Sequence, residues 1–200
     1  MKQRSRRVLA GTAIGLIALL APALAASAAT PPQPTYGSAN VDGNVWEWSS
    51  NDVWGTLLSN NPNDVPRQFG TVSLRYDCGK GVLYAYVKAV NGYKFQTLDA
   101  GEAYLRLGET GKLVSGLSGD DGYAPDFRWV GKVGDTASGW EASAKVAPGT
   151  YPLSFRVHGK VTNTSADGYE TFDLDPRYSD LTIICQKSGC GTGGFWWGRH

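Results

Sequence analysis

Val72, Leu74 and Tyr76 alternate with Ser73 and Arg75, the period of two that marks a strand with one buried face. Asp77-Cys78-Gly79-Lys80-Gly81 interrupts the pattern as a Gly-bearing turn. Val82-Leu83-Tyr84-Ala85-Tyr86-Val87 follows as a run of β-branched and aromatic residues, so the two segments predict a hairpin. Asn91-Gly92 marks another tight turn. The same texture continues through Ala103 to Leu107, Phe127 to Val130, Trp140 to Val146, Leu153 to Val157 and Leu181 to Ile184. Gly/Pro/Asp clusters at 119–122, 147–150 and 166–168 separate these short runs. No run has the length and period of an amphipathic helix, and no internal repeat is visible. The pattern predicts an all-β fold over residues 41–187, an antiparallel β-sandwich of jelly-roll or immunoglobulin-like type, with a closed barrel as the alternative.

The ends of the chain break the pattern. Lys2, Arg4, Arg6 and Arg7 precede an apolar run from Val8 to Leu20, and small residues follow through Ala29. That is the order of a secretory signal peptide, and Ala23-Leu24-Ala25 and Ala26-Ser27-Ala28 both offer the small-x-small step a signal peptidase reads. Residues 1–29 are expected to be removed and the mature chain to be secreted. No later apolar run approaches the ~18 residues of a crossing helix, so no membrane span is expected in the mature chain. Residues 30–40 (TPPQPTYGSAN) read as an extended Pro-rich leader. Residues 188–200 (SGCGTGGFWWGRH) set glycines around Cys190 beside Phe195, Trp196 and Trp197. Such a tail is either a loose end or an attachment peptide.

Signal removal changes the charge. The 19 Lys and Arg fall to 15 against 18 Asp and Glu, and the net charge goes from +1 to −3. No basic stripe remains to meet phosphates, which argues against nucleic acid as a partner. Export also makes a disulfide permissible for Cys78, Cys185 and Cys190. Cys78 and Cys185 each end a strand candidate, and two strand ends can meet at one end of a sheet. Pairing Cys185 with Cys190 would close only a small loop. The long bridge Cys78–Cys185 is expected, which leaves Cys190 free or available to link a dimer.

The inventory for catalysis is thin. His158 is the one histidine within the strand-rich region, and no nucleophile elbow, phosphate loop or zinc-protease motif occurs. Glu47, Glu102, Glu141 and Glu170 could supply an acid pair for glycoside hydrolysis, but four glutamates need no such explanation. No catalytic residue is therefore assigned. Asp120, Asp121 and Asp126 on one Gly-rich loop offer hard oxygen ligands for Ca²⁺, the one cofactor the sequence suggests, although Asp/Gly loops are also ordinary turn chemistry.

The segment from Val41 to Asn61 places Trp46, Trp48 and Trp54 among polar residues. Trp46 and Trp48 are two apart and would point the same way in an extended segment. Indole faces stack on sugars when polar neighbours take the hydroxyls, and Asn44, Asn51 and Asp52 are of that type. Val41-Asp42-Gly43 followed by Glu47-Trp48 resembles the opening motif of family 9 carbohydrate-binding modules and their DOMON-like relatives. Leu83 to Val87 and Gly139-Trp140-Glu141-Ala142-Ser143 resemble two further strands of that family. The resemblance implies a Ca²⁺-tolerant β-sandwich that binds sugars or, in related branches, haem. It also implies that Trp48 packs internally, leaving Trp46 and Trp54 as the exposed face. Haem is disfavoured because Met1 is the only methionine. The expectation is a secreted, non-catalytic module for carbohydrate or cell-surface glycan. The alternative is an adhesive surface protein that attaches through its tail, and an extracellular hydrolase is third.

Overall fold

A computed structural model describes residues 32–59, 67–109, 111–161 and 170–185. The signal-like segment 1–29, the separator at 166–168, and Cys190, Phe195, Trp196 and Trp197 of the tail lie outside the described residues. The described chain forms thirteen strands: β1 (Thr35–Tyr36), β2 (Val53–Ser59), β3 (Gln68–Asp77), β4 (Val82–Ala89), β5 (Tyr93–Gln96), β6 (Tyr104–Leu107), β7 (Val114–Ser115), β8 (Asp126–Val130), β9 (Thr136–Ala137), β10 (Gly139–Lys145), β11 (Gly149–Val161), β12 (Glu170–Leu174) and β13 (Asp180–Ile183). Three single-turn 3-10 segments punctuate them, and no α-helix occurs among the described residues.

The expected hairpin is present. β3 and β4 pair from Gly70↔Ala89 to Asp77↔Val82. Their turn is fixed by Asp77, whose carboxylate accepts from the backbone N–H of Gly79 and Lys80, and by Gly81 at φ +64°, a conformation suited to glycine. From this hairpin the sheet grows both ways in the order β7-β6-β11-β12-β2-β3-β4-β10-β8. These neighbours are antiparallel throughout. The two ends approach each other where Phe127 N–H of β8 bonds Gly119 O, just beyond β7, in one isolated bridge. The result is a nearly closed, barrel-like antiparallel sheet with one unsealed seam.

The interior is filled from opposite parts of that order. Trp140 of β10 lies 5.2 Å from Phe127 and 5.8 Å from Phe155 of β11, ring centre to ring centre. Phe69 stacks on Phe172 at 3.6 Å and meets Tyr93 edge-on. Gly159 makes room for it, since a Cβ there would sit 1.8 Å from the Phe69 ring. The expected bridge Cys78–Cys185 also forms. It ties the β3–β4 turn to the end of β13 across 107 residues, with Cα atoms 5.8 Å apart.

Two segments outside the expected strands join the sheet. Part of the extended leader does so as β1. β2 begins its pairing only at Val53↔Ser73, so the same edge of β3 is open beyond that point, and β1 fills it in parallel at Thr35↔Arg75 and Tyr36↔Tyr76. Unpaired edge amides and carbonyls favour such an addition. The cluster at 147–150 is also not wholly a separator, because Gly149 and Thr150 already pair with Ile183 and Thr182 of β13.

Candidate functional site

β4 reads as a continuous apolar run because both of its faces are covered. Leu83, Ala85 and Val87 enter the main core, while Val82 and Tyr84 belong to a second small cluster with Ala39, Val41, Trp48 and Ala124. Residues 38–48 cross the outer face of β3, β4 and β10 as a strap, and two sheet residues fasten it. Glu141 of β10 is fully buried. One of its oxygens accepts from Trp48 Nε1 at 2.8 Å and the other from Gly43 N at 2.8 Å. Arg75 of β3 donates to Ser38 O at 3.2 Å, to Glu47 O at 3.0 Å and to the buried Asp52 carboxylate at 2.6 Å. Its guanidinium also lies 5.2 Å from the centre of the Trp48 ring.

The electrostatics of this anchor follow from burial. Burial pushes the Glu141 carboxyl up to about 7, and the nearby Asp42 and Glu47 charges add to it, against the two hydrogen bonds. Tyr86, beside it in register, is pushed up to about 12, first by burial and then by the Glu141 charge. For Asp52 burial is again the largest influence and acts upward. The hydrogen bonds from Arg75, Thr35 and Ser49 outweigh it and leave the carboxyl below its ordinary value.

Beside the strap lies an open groove of about 730 Å³. Its floor is Val82 and Tyr84 of β4 with Ser143 and Lys145 of β10. The strap residues Asn40 and Asp42 form one wall, Tyr123 and Ala124 the other, and Lys80 stands at the turn end. Tyr123 is 79% exposed, at the lip. Gly122 at φ +81° shapes its loop, and the Gly122 N–H bonds Asp126 at 2.9 Å. Burial raises the Tyr84 hydroxyl, while the Lys80 ammonium beside it pulls the other way. The groove therefore joins two phenol rings to an amide, carboxylates, a hydroxyl and two ammonium groups.

The residues expected to bind do not share one face. Residues 45–48 form a turn closed by Trp48 N–H on Val45 O, so Trp46 and Trp48 point apart instead of together. Trp46 is 77% exposed, with Asn44 beside it, whereas Trp48 packs against Tyr86. Trp54 is a correction: it is 5% exposed, 5.5 Å from the Tyr178 ring, and its Nε1 donates to Pro32 O. The physical reason is strand alternation, since β2 starts at Val53 and turns that side chain outward and the next one inward. Asp52 is likewise buried in its ion pair with Arg75, whereas Asn51 stays exposed.

The three aspartates offered for Ca²⁺ each have a separate partner. Asp120 pairs with Arg128 at 3.0 Å, Asp121 accepts from Tyr123 N, and Asp126 turns inward to Gly122 N and Phe127 N. No group of three or more acidic, His or Cys side chains among the described residues is arranged to hold a metal. The four glutamates are dispersed too: Glu47 accepts from Asn40, Glu102 from Lys112, Glu170 from Arg67, and Glu141 from the strap.

The two phenols of the groove, Tyr84 and Tyr123, carry no binding signal of their own in the sequence. Tyr84 sits in a run with no polar alternation, and Tyr123 follows a glycine in what reads as turn chemistry. Their one signal is that two phenols flank the Asp/Gly loop and the hairpin turn. Comparison with protein-family models, curated proteins and solved structures finds no match.

Proposed function

We propose that this chain is an exported, non-catalytic glycan-binding module and that its ligand lies in the groove over β4 and β10, not on the tryptophans of the strap. The observation that carries the reading is the groove itself. Tyr84 in its floor and Tyr123 at its lip supply flat apolar faces, and Asn40, Asp42 and Ser143 supply hydrogen-bonding groups between them. Sugar rings need that mixture, apolar C–H faces against aromatics and hydroxyls against amide or carboxylate. The meeting of Gly43 and Trp48 with Glu141 supports the resemblance to family 9 modules, because residues of two separate motifs converge on one anchor. A flattened sandwich of jelly-roll type is the finer fold we read in the sheet, from the rings of β10 and β11 that face each other across the core.

A pull-down against insoluble polysaccharides tests the function. The full chain is expected to leave the supernatant with at least one of them. Tyr123→Ala should weaken that binding by ~1–3 kcal/mol, by analogy with stacking of bases on aromatic rings. Trp46→Ala should leave it unchanged. Loss on Trp46→Ala with retention on Tyr123→Ala would move the site to the strap, and a chain that no polysaccharide retains is not a glycan module.

A further inference from the structure

We propose that the groove takes an anionic glycan, a polyhydroxylated chain carrying carboxylate or phosphate groups, with Lys80 and Lys145 as its anion contacts. This rests on the groove being the glycan site. Two observations carry it. First, the backbone brings both cations to one end of the cavity. Lys145 stands opposite Val82 in the β10–β4 register, and Val146 N–H bonds Gly81 O at 3.0 Å, which sets the Lys80 turn against the end of β10. Second, neither ammonium group is held in a close ion pair. Lys80 lies 3.7 Å from Asp77 and beside the Tyr84 hydroxyl, and no acidic group among the described residues lies within ion-pair reach of Lys145. Five arginines contrast with them. Arg67, Arg75, Arg128, Arg156 and Arg177 are each paired to a carboxylate at 3.0 Å or less.

The remainder of the groove suits the hydroxyls of such a chain. Asp42 is exposed and held by the backbone N–H of Asn44, which fixes its carboxylate as an acceptor. Ser143 adds a hydroxyl on the floor, in register with both Tyr84 and Asp126. A neutral sugar places no charge of its own against either ammonium group. A ligand with an anion at that end satisfies them while its hydroxyls meet the acceptors.

The test uses affinity electrophoresis of the full chain through gels containing polygalacturonate, poly(glycerol phosphate) or dextran. Retention by either polyanion but not by dextran is expected, and which polyanion retains it identifies carboxylate or phosphate as the anion. Added salt should reduce the retention. Lys145→Gln should weaken it by roughly tenfold, the loss of about one charge-assisted contact, and Lys80→Gln should weaken it in the same direction. Both side chains are exposed, so the folded state survives either change. Dextran retention equal to that of the polyanions, unmoved by either lysine variant, overturns the anionic preference and leaves the glycan reading standing. Polyanion retention that survives Tyr123→Ala unchanged shows binding by surface charge outside the groove and overturns the proposal. Retention by none of the three gels overturns the anionic preference, and the polysaccharide pull-down then decides the glycan reading separately.

Discussion

Glu141 has no exposure to solvent, yet both of its oxygens serve as acceptors for the strap, and its chemistry gives the fold a pH dependence with a definite sign. Its carboxyl is raised from 4.5 to about 7 in the folded state. Between those values the unfolded chain has released the proton and the folded chain still holds it, so stability falls as pH rises through that window and is level above it. A shift of that size corresponds to about 3 kcal/mol. Urea unfolding from pH 5 to 8 is expected to show that decline in the wild type and a much flatter profile in Glu141→Gln. Parallel profiles for the two proteins would mean that Glu141 titrates normally. The tryptophans divide by the same kind of argument. Trp54→Ala should destabilise by ~3–5 kcal/mol as a large-to-small core change, whereas Trp46→Ala should stay within about 0.5 kcal/mol. Unfolding midpoints in urea rank them directly.

The strap and β1 owe their places to Arg75 and Asp52 rather than to any pattern of their own. Arg75 ties Ser38, Glu47 and Asp52 together, and Asp52 in turn accepts from Thr35 of β1 and from Ser49. Arg75→Ala leaves the buried Asp52 carboxylate without its cation, a change expected to cost ~3–5 kcal/mol. Amide hydrogen exchange should localise the damage: the N–H of Gly37, bonded to Tyr76 O, and the N–H of Gly43, bonded to Glu141, lose protection before the β3–β4 ladder does. Uniform loss of protection would show that the strap is not a separable unit. At this scale the sequence was clear for β3, β4, β6, β8, β10, β11 and β13, each of which has a strand-like run of its own. It was silent on β1, β5, β7 and β9, which have only two to four residues and form because a longer strand offers them an open edge.

For the whole sheet, closure depends on contacts far apart in sequence. β11 is thirteen residues long and pairs successively with β13, β6, β12 and β5. The Cys78–Cys185 bridge constrains nearly all of that assembly, with its ends 107 positions apart in sequence. In the chain-entropy account such a loop contributes about 4–5 kcal/mol. Cys78→Ser is therefore expected to lower the thermal midpoint strongly, and Cys190→Ser to leave it nearly unchanged. A non-reducing peptide map should recover Cys78 joined to Cys185, and one joining Cys185 to Cys190 would overturn the assignment. Truncation after Lys187 separates the tail from the fold: an unchanged midpoint with loss of surface association favours the adhesive alternative.

The sequence by itself determined the all-β texture, most of the long strands and the disulfide, because each rests on local alternation or on where a run ends. It also singled out the Val41–Asn61 segment, but it misassigned the side chains within it. Whether Trp54 points in or out depends on the residue at which β2 begins to pair, and whether Trp46 and Trp48 diverge depends on one turn at Val45. Only tertiary structure set those. The groove was invisible for a deeper reason. Asn40, Lys80, Tyr84, Tyr123 and Ser143 come from a strap, a hairpin turn, two strands and a loop, and nothing in their spacing relates them. They become neighbours because β10 pairs with β4 in one register and Glu141 and Arg75 hold the strap across that face.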